Sequence, residues 1–284
     1  MNLLQKAFNG VFKTDSGRSK GVTSPQGAVP EEAVTEPQND SVDPYPYRGD
    51  DIAGDIRKKY GFSGDLLDIF MGMDGAMVHK WHHYIPIYDR YFAPFRGSDV
   101  RFLEIGVSKG GSLQMWRRYL GPSATIFGID IDPACARFDG QAAQVRIGSQ
   151  DDPAFLASVI AEMGGVDVVL DDGSHVMQHI RASLRTLFPA LQQGGLYMIE
   201  DLHTAYWPSF GGGFGQQENL FNDLLPIIDD MHRPYHGHGN QHAATDGQVS
   251  GLHIHDSILV LEKGPVFPPV YSMVGTEAGN GVLT

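Results

Sequence analysis

Cysteine is nearly missing from this chain: Cys135 is the single one in 284 residues. An internal disulfide is thereby excluded, and a reducing, cytoplasmic setting is the simplest expectation. Positive charge is scarce as well. Lys and Arg number 21 against 34 Asp and Glu, a formal net charge of −13. Nucleic acid and anionic membranes need a concentrated basic surface, so neither is expected as a partner; a cation suits this balance. No apolar run approaches the ~20 residues that cross a bilayer, so no transmembrane segment is expected. The opening "MNLLQKAFNGVFK" lacks the compact apolar core and small-residue cleavage site of a signal peptide. What is present is ordinary for a globular enzyme, with 42% hydrophobic and 19% charged residues. The length allows one large α/β domain with an appendage.

The apolar pattern divides the chain. Leu3, Leu4, Ala7, Phe8, Val11 and Phe12 share one helical face, which predicts an amphipathic helix over 1–13 that docks on its own domain, a second subunit, a membrane or another partner. Residues 14–50 are rich in Ser, Gly, Pro and acids and predict a linker or loosely held arm. A helical segment over 51–98 follows, with "HHYIPIYDRYFAPF" as its aromatic-rich part and Pro86 at a helix start or kink. From 99 to 284 strands and helices alternate. "VRFLEI" (100–105), "TIFGID" (125–130), "QVRI" (144–147), "VDVVL" (166–170) and "LYMIE" (196–200) read as strands, and "GLHIHDSILVLEK" as a terminal hairpin turning near Asp256. "VMQHIRASLRTLFPAL" and "ENLFNDLLPIIDDMH" read as helices. The expected architecture is α/β and Rossmann-like: a mostly parallel sheet with an antiparallel C-terminal edge and helices on both faces.

In such sheets ligands bind beyond the carboxyl ends of the strands. There, "LEIGVSKGGS" (103–112) makes a glycine turn between the first strand and a helix. Its spacing is not the G-x-G-x-x-G of a dinucleotide fold, nor does G-K-[ST] follow as in a P-loop. Glu104 ends the first strand and Asp130 the second, and acids there would repel a diphosphate. S-adenosylmethionine, with a sulfonium, an amine, a ribose and no phosphate, fits better. Candidate contacts are Glu104, Gly106 and Ser112 around the turn, Asp130 for the ribose, Gln150 and Asp151 in "GSQDD" near the adenine, and Asp171. A glycine turn that merely lets helix pack on strand is the rival reading.

Two further motifs, "LDDGSH" (170–175) and "MIEDLH" (198–203), place Asp171, Asp172, Glu200 and Asp201 at neighbouring strand tips. Close carboxylates raise one another's pKa unless a positive charge stands among them, and lysines or arginines are few nearby. A hard divalent ion such as Mg²⁺, held by Asp172, Glu200 and Asp201, resolves this. His175, expected on the first turn of the following helix, suits a general base. Helix capping by Asp171 or Asp172, and a solvated His175, are the rivals.

At these residues the sequence resembles the metal-dependent O-methyltransferases that modify sugars of macrolide and aminocoumarin antibiotics, the macrocin, mycinamicin and novobiocin type. "FLEIGVSKGGSLQMWRRYL", "GIDIDP", "GSQDD", "VVLDDGSH" and "GGLYMIEDLHTAYW" carry the resemblance, which spans about residues 78–263. It implies a class I methyltransferase fold with a seven-stranded sheet, S-adenosylmethionine, Mg²⁺, a small-molecule glycoside or glycolipid acceptor and a homo-oligomer. Asp172, Glu200 and Asp201 match its metal ligands and His175 its base; Glu104, Gly106, Asp130 and Gln150 match cofactor positions. A metal-dependent enzyme of a catechol-like phenol, a nicotinamide-dependent oxidoreductase, which the glycine spacing disfavours, and a non-catalytic cofactor-binding protein are the alternatives.

Weaker signals complete the reading. Lys80, His83 and Tyr84 in "VHKWHHY" either contact cofactor or substrate or simply pack. "YWPSFGGGFG" (206–215) reads as a flexible acceptor lid, and the four histidines of 231–242 as a mobile loop rather than a zinc site. His203 is taken as a neighbour of the site and Cys135 as packing.

Overall fold

The computed structural model describes residues 45–275. The expected helix over 1–13 and nearly all of the arm over 14–50 lie outside them. From Pro46 onward the described chain packs as one unit.

Seven strands form one sheet: β1 (Arg101–Ile105), β2 (Thr125–Asp130), β3 (Gln144–Ile147), β4 (Val166–Asp171), β5 (Leu191–Ile199), β6 (Val249–His255) and β7 (Ile258–Lys263). Their order is β3-β2-β1-β4-β5-β7-β6. β1 to β5 run parallel; β7 pairs antiparallel with β5 and β6 with β7. This is the expected class I methyltransferase sheet, antiparallel edge included. β4 alone separates β5 from β1, so the tips of β1, β4 and β5 stand side by side, where chain order reverses direction across the sheet.

The helices are α1 (Ile52–Tyr60), α2 (Asp65–Met71), α3 (Tyr84–Phe92), α4 (Gly111–Leu120), α5 (Pro153–Met163), α6 (Met177–Ala190), α7 (Leu224–Met231) and the single turn α8 (Arg233–His236). Two apolar layers show that both sheet faces are covered. On one, Phe102, Val168, Leu170, Met198 and Val260 meet α1 to α4. On the other, Leu103, Ile105, Val169, Tyr197 and Leu261 meet α5 to α7. Strand side chains alternate between faces, which explains why the parallel strands are almost continuously apolar. α5 begins as its sequence suggests: Asp152 accepts from the amides of Ala154 and Phe155, and Pro153 takes the first position.

The structure differs from expectation in two places. β5 starts at Leu191, which had been read as helix. Leu191 pairs with Val166, the chain bulges through the "QQGG" stretch, and pairing resumes at Leu196 opposite Val168. The helix expected over 218–232 splits into a 3₁₀ turn (Leu220–Asp223) and α7, with Pro226 in the first turn of the latter. Pro86 likewise sits in the first turn of α3, where its missing N–H costs no helical bond.

α3 and α4 set the floor beneath the strand tips. The Trp116 ring contacts Tyr88, Phe92 and Phe102 at centroid distances of 5.2, 5.4 and 5.6 Å. All four rings are fully buried, and each such burial contributes about 1.5–3 kcal/mol. This cluster anchors α3 and so positions Tyr84 and Tyr88, whose spacing of four places both on one helix face.

Candidate active site

A cleft opens over the tips of β1, β4 and β5. It is lined by Met77 to Trp81, Gly106 to Lys109, Gly111, Ser112, Asp172, Gly173, His175, Glu200 and Asp201, and it encloses about 760 Å³ including its open mouth. Gly106 makes the approach of its walls possible. It has φ +97°, and a Cβ there would lie 2.0 Å from the carbonyl oxygen of Asp172. Three non-glycine residues lining the cleft share the left-handed region: Ser108 (φ 49°), His175 (φ 57°) and Asp201 (φ 54°). Five such residues occur among those described, so this strain, on the order of 1 kcal/mol or more each, gathers at the cleft and aims side chains into it.

Asp172, Glu200 and Asp201 converge as expected, but around an internal cation. Lys80 Nζ donates to both Glu200 oxygens at 2.9 and 3.0 Å and to Asp172 Oδ2. Burial disfavours the ammonium, yet Asp172, Glu200 and Glu104 outweigh that and hold its pKa above the ordinary lysine value. Burial, and then repulsion from Asp172, raise Glu200 well above the carboxylate range against the pull of Lys80. Asp201 is held below that range: burial opposes its charge, but His175 and a 2.6 Å hydrogen bond from Tyr84 prevail. The Tyr88 hydroxyl lies fully buried beside Glu200.

With those bonds made, one oxygen of each aspartate remains turned to the opening. His175 Nε2 lies 3.5 Å from Asp201 Oδ2 and 3.9 Å from Asp172 Oδ1. Asp172, His175 and Asp201 each offer a ligand atom, all within 4.8 Å of one another. The two carboxylate oxygens suit a hard divalent ion, with room for waters or hydroxyls in the remaining positions, and the imidazole beside them is placed either to complete the ligand set or to take a proton from a bound hydroxyl. Glu200, also expected as a ligand, has both oxygens on Lys80.

Four expectations need adjustment. Asp171 does not join the other acids: its buried carboxylate accepts from Ser183 Oγ (2.6 Å), Tyr197 Oη and Gln150 Nε2 (both 3.1 Å), tying β4 to β5 and α6. β-strand alternation explains this, since consecutive residues face opposite sides. His175 precedes α6 instead of lying on its first turn, because the helix begins only at Met177. Neither Asp171 nor Asp172 caps α6; the capping position is Val176, which makes no side-chain cap. The expected scarcity of positive charge near the acids overlooked Lys80.

Of the proposed cofactor contacts, Gly106 and Ser112 line the cleft. Glu104 is buried behind it, accepting from Ser112 Oγ (2.8 Å) and Trp116 Nε1 (3.1 Å), and burial pushes its carboxyl up to about 7 against the pull of Lys80. Asp130 accepts from the amides of Val107, Ser108 and Asp132, so it braces the glycine turn from below. Gln150 Oε1 accepts from the Ser174 amide at 2.7 Å, and Asp151 pairs with Ser149 and lies 3.7 Å from His179 Nε2. Lys80, Tyr84 and Tyr88 are the residues sequence reasoning undervalued. They lie far before the acids in the chain, Lys80 by 92 residues from Asp172, so no spacing reveals the contact; the four-residue interval between the two tyrosines is the one visible hint.

Residues 103–202 match the family described as a methyltransferase domain. The tetracenomycin-C 3'-O-methyltransferase of Streptomyces olivaceus, which acts on the 8-demethyl-8-(2-methoxy-alpha-L-rhamnosyl) compound, is 40% identical over 198 residues, 65% of this chain and 50% of the relative. Demethylmacrocin O-methyltransferase of Streptomyces fradiae is 37% identical, over 66% of this chain and 51% of the relative. The chain spans about half the length of the curated relatives it matches. Among solved structures, the mycinamycin-pathway methyltransferase MycE in complex with Mg, SAH and mycinamycin VI aligns with a TM-score of 0.63 at 32% identity, over 77% of this chain and 63% of that one.

Proposed function

Starting from a chain that carries a methyltransferase domain and is a relative of sugar O-methyltransferases of the macrocin, mycinamicin and tetracenomycin type, we propose that it moves the methyl group of S-adenosylmethionine to a sugar hydroxyl of a glycosylated natural product or glycolipid, with Mg²⁺ bound and His175 as general base. One observation carries the reading: Asp172 and Asp201 bring carboxylate oxygens, to hold the ion, within 4.8 Å of His175, placed as the base, in a glycine-walled cleft. The Mg and SAH complexes of the relative MycE support the choice of cofactor and ion.

A bound Mg²⁺ would acidify the acceptor hydroxyl and fix its direction. The protein's own residues do the rest. The glycine turn lets backbone approach the donor, with Gly106 and Ser112 on the wall and Glu104 braced behind. His175 Nε2 takes the hydroxyl proton as the new C–O bond forms and the sulfonium–methyl bond breaks, leaving S-adenosylhomocysteine. Asp201, 3.5 Å away, orients the ring. The acceptor would lie toward 206–215, reached through His203, whose ring meets Trp81 at 5.4 Å and Trp207 at 4.9 Å. Exposed Tyr206 and Phe214, with positive-φ glycines at 211, 213 and 215, suit a sugar-stacking lid. A cytoplasmic setting and assembly into a homo-oligomer belong to the same proposal.

The test is methyl transfer from labelled S-adenosylmethionine to a panel of glycosides, with Mg²⁺ and with EDTA. Transfer should stop in EDTA and return with Mg²⁺. Undiminished transfer in EDTA would remove the metal from the reaction.

A further inference from the structure

Lys80 occupies the cleft in a way the methyl-transfer chemistry does not require. Its Nζ meets three carboxylate oxygens, both of Glu200 and one of Asp172, and the residue is 8% exposed. A lysine in that position does the electrostatic work of a metal ion: it stops the buried Glu200 and the half-buried Asp172 from repelling each other. It belongs to no helix or strand. It stands on the irregular run between α2 and α3, whose residues Met77 to Trp81 form one wall of the cleft. Met77 on that run is 71% exposed, while its backbone carbonyl packs over Gly111, where a Cβ would lie 2.2 Å from the oxygen. A wall of this kind can shift without unfolding an element. Tyr88, whose ring lies 5.5 Å from Nζ, places its buried hydroxyl beside the same acids.

We propose that Lys80 is a tethered counter-cation that competes with the divalent ion for Asp172 and Glu200, so that metal entry displaces its ammonium and frees the Met77–Trp81 wall. This rests on the reading of Asp172 and Asp201 as the metal site, which Glu200 joins once the ammonium leaves it. Lys80 is a positioning residue: it keeps the acids together before the ion arrives and lowers the ion's apparent affinity. Removing the ammonium leaves the metal-free state with unpaired buried charge while costing the metal-bound state little, so affinity must rise.

The experiment is calorimetric titration of the full chain and of Lys80→Met with Mg²⁺ alone, then with Mn²⁺. Lys80→Met should bind about tenfold tighter or more, melt lower without metal and gain more Tm from saturating Mg²⁺ than the parent chain. A lysine with a merely structural role would weaken binding when removed. Equal or weaker binding by Lys80→Met, with the parent chain still binding, would overturn the proposal and leave the metal site standing. Failure of both to bind would overturn the metal reading itself. Should Lys80→Met not fold, the parent chain still decides. Amine acylation followed by mass spectrometry should find Lys80 protected without metal and modified at saturating Mg²⁺; protection in both states would overturn displacement.

Discussion

The two ends of the parallel sheet treat carboxylates differently. At the amino end the half-buried Asp167 has its own guanidinium, gripped by Arg101 through Nε at 2.9 Å and through a terminal nitrogen at 2.7 Å, and on the exposed edge strand Arg146 spans Asp139 and Glu162. At the carboxyl end Asp172 and Glu200 share Lys80, while Asp201 accepts from the Tyr84 hydroxyl with His175 alongside. The first arrangement is complete and has nothing left to bind. The second leaves carboxylate oxygens facing an opening, which is a poor way to stabilise a fold and a good way to hold a cation.

The sharpest break of this comparison is Asp172→Ala. Methyl transfer should fall about a thousandfold or more, because a ligand is lost. Its Tm should hold or rise, since a repelling charge goes too. A large drop in Tm with transfer intact would reverse the assignment of the two ends. His175→Ala should lower kcat by about 10²–10⁴ while S-adenosylmethionine affinity, measured by calorimetry, stays unchanged; equal losses in both would make His175 structural. Asp171→Ala should act oppositely to its neighbour. Three hydrogen-bond donors would be stranded, costing on the order of 3 kcal/mol in denaturant unfolding, with activity retained in the folded fraction.

pH separates the two ends further. Asp167 is held below its ordinary value of 3.8: burial opposes this, and the Arg101 bonds prevail. A depressed acid contributes stability above its unfolded pKa and loses it as pH falls through the folded one. Glu104 is the reverse, raised from 4.5 to about 7 by burial. The folded state there holds the proton more tightly, so its contribution declines as pH rises between those values. Against Glu104→Gln, the parent chain should therefore lose Tm from about pH 4.5 to 7, whereas against Asp167→Asn it should gain as pH climbs out of the acid range. Parallel slopes in the two pairs would erase the distinction. The smallest effect is expected at the solvent-facing pair: Glu162→Ala should cost under about 1 kcal/mol.

Much of this was legible in the chain. β2 and β3 fall on the expected residues because a run of apolar β-formers bounded by turn residues has few other uses. Leu191 was misread because an apolar residue ending an amphipathic helix looks the same whether it continues the helix or pairs with Val166 across a bulge. Asp172, Glu200 and Asp201 were recognisable as a group, because parallel strands must end near one another when they share a sheet. Asp171 was not separable from Asp172 by residue type, and only the pleat assigned one to the interior and one to the cleft.

The sequence by itself determined the alternation of strands and helices, the glycine turn after β1 and the acidic tips of β4 and β5, since these follow from local periodicity and short spacing. Tertiary structure alone decided which charge answers those acids. Lys80 reaches Asp172 and Glu200 across 92 and 120 residues, and no local pattern encodes a contact that exists only after the helices have packed.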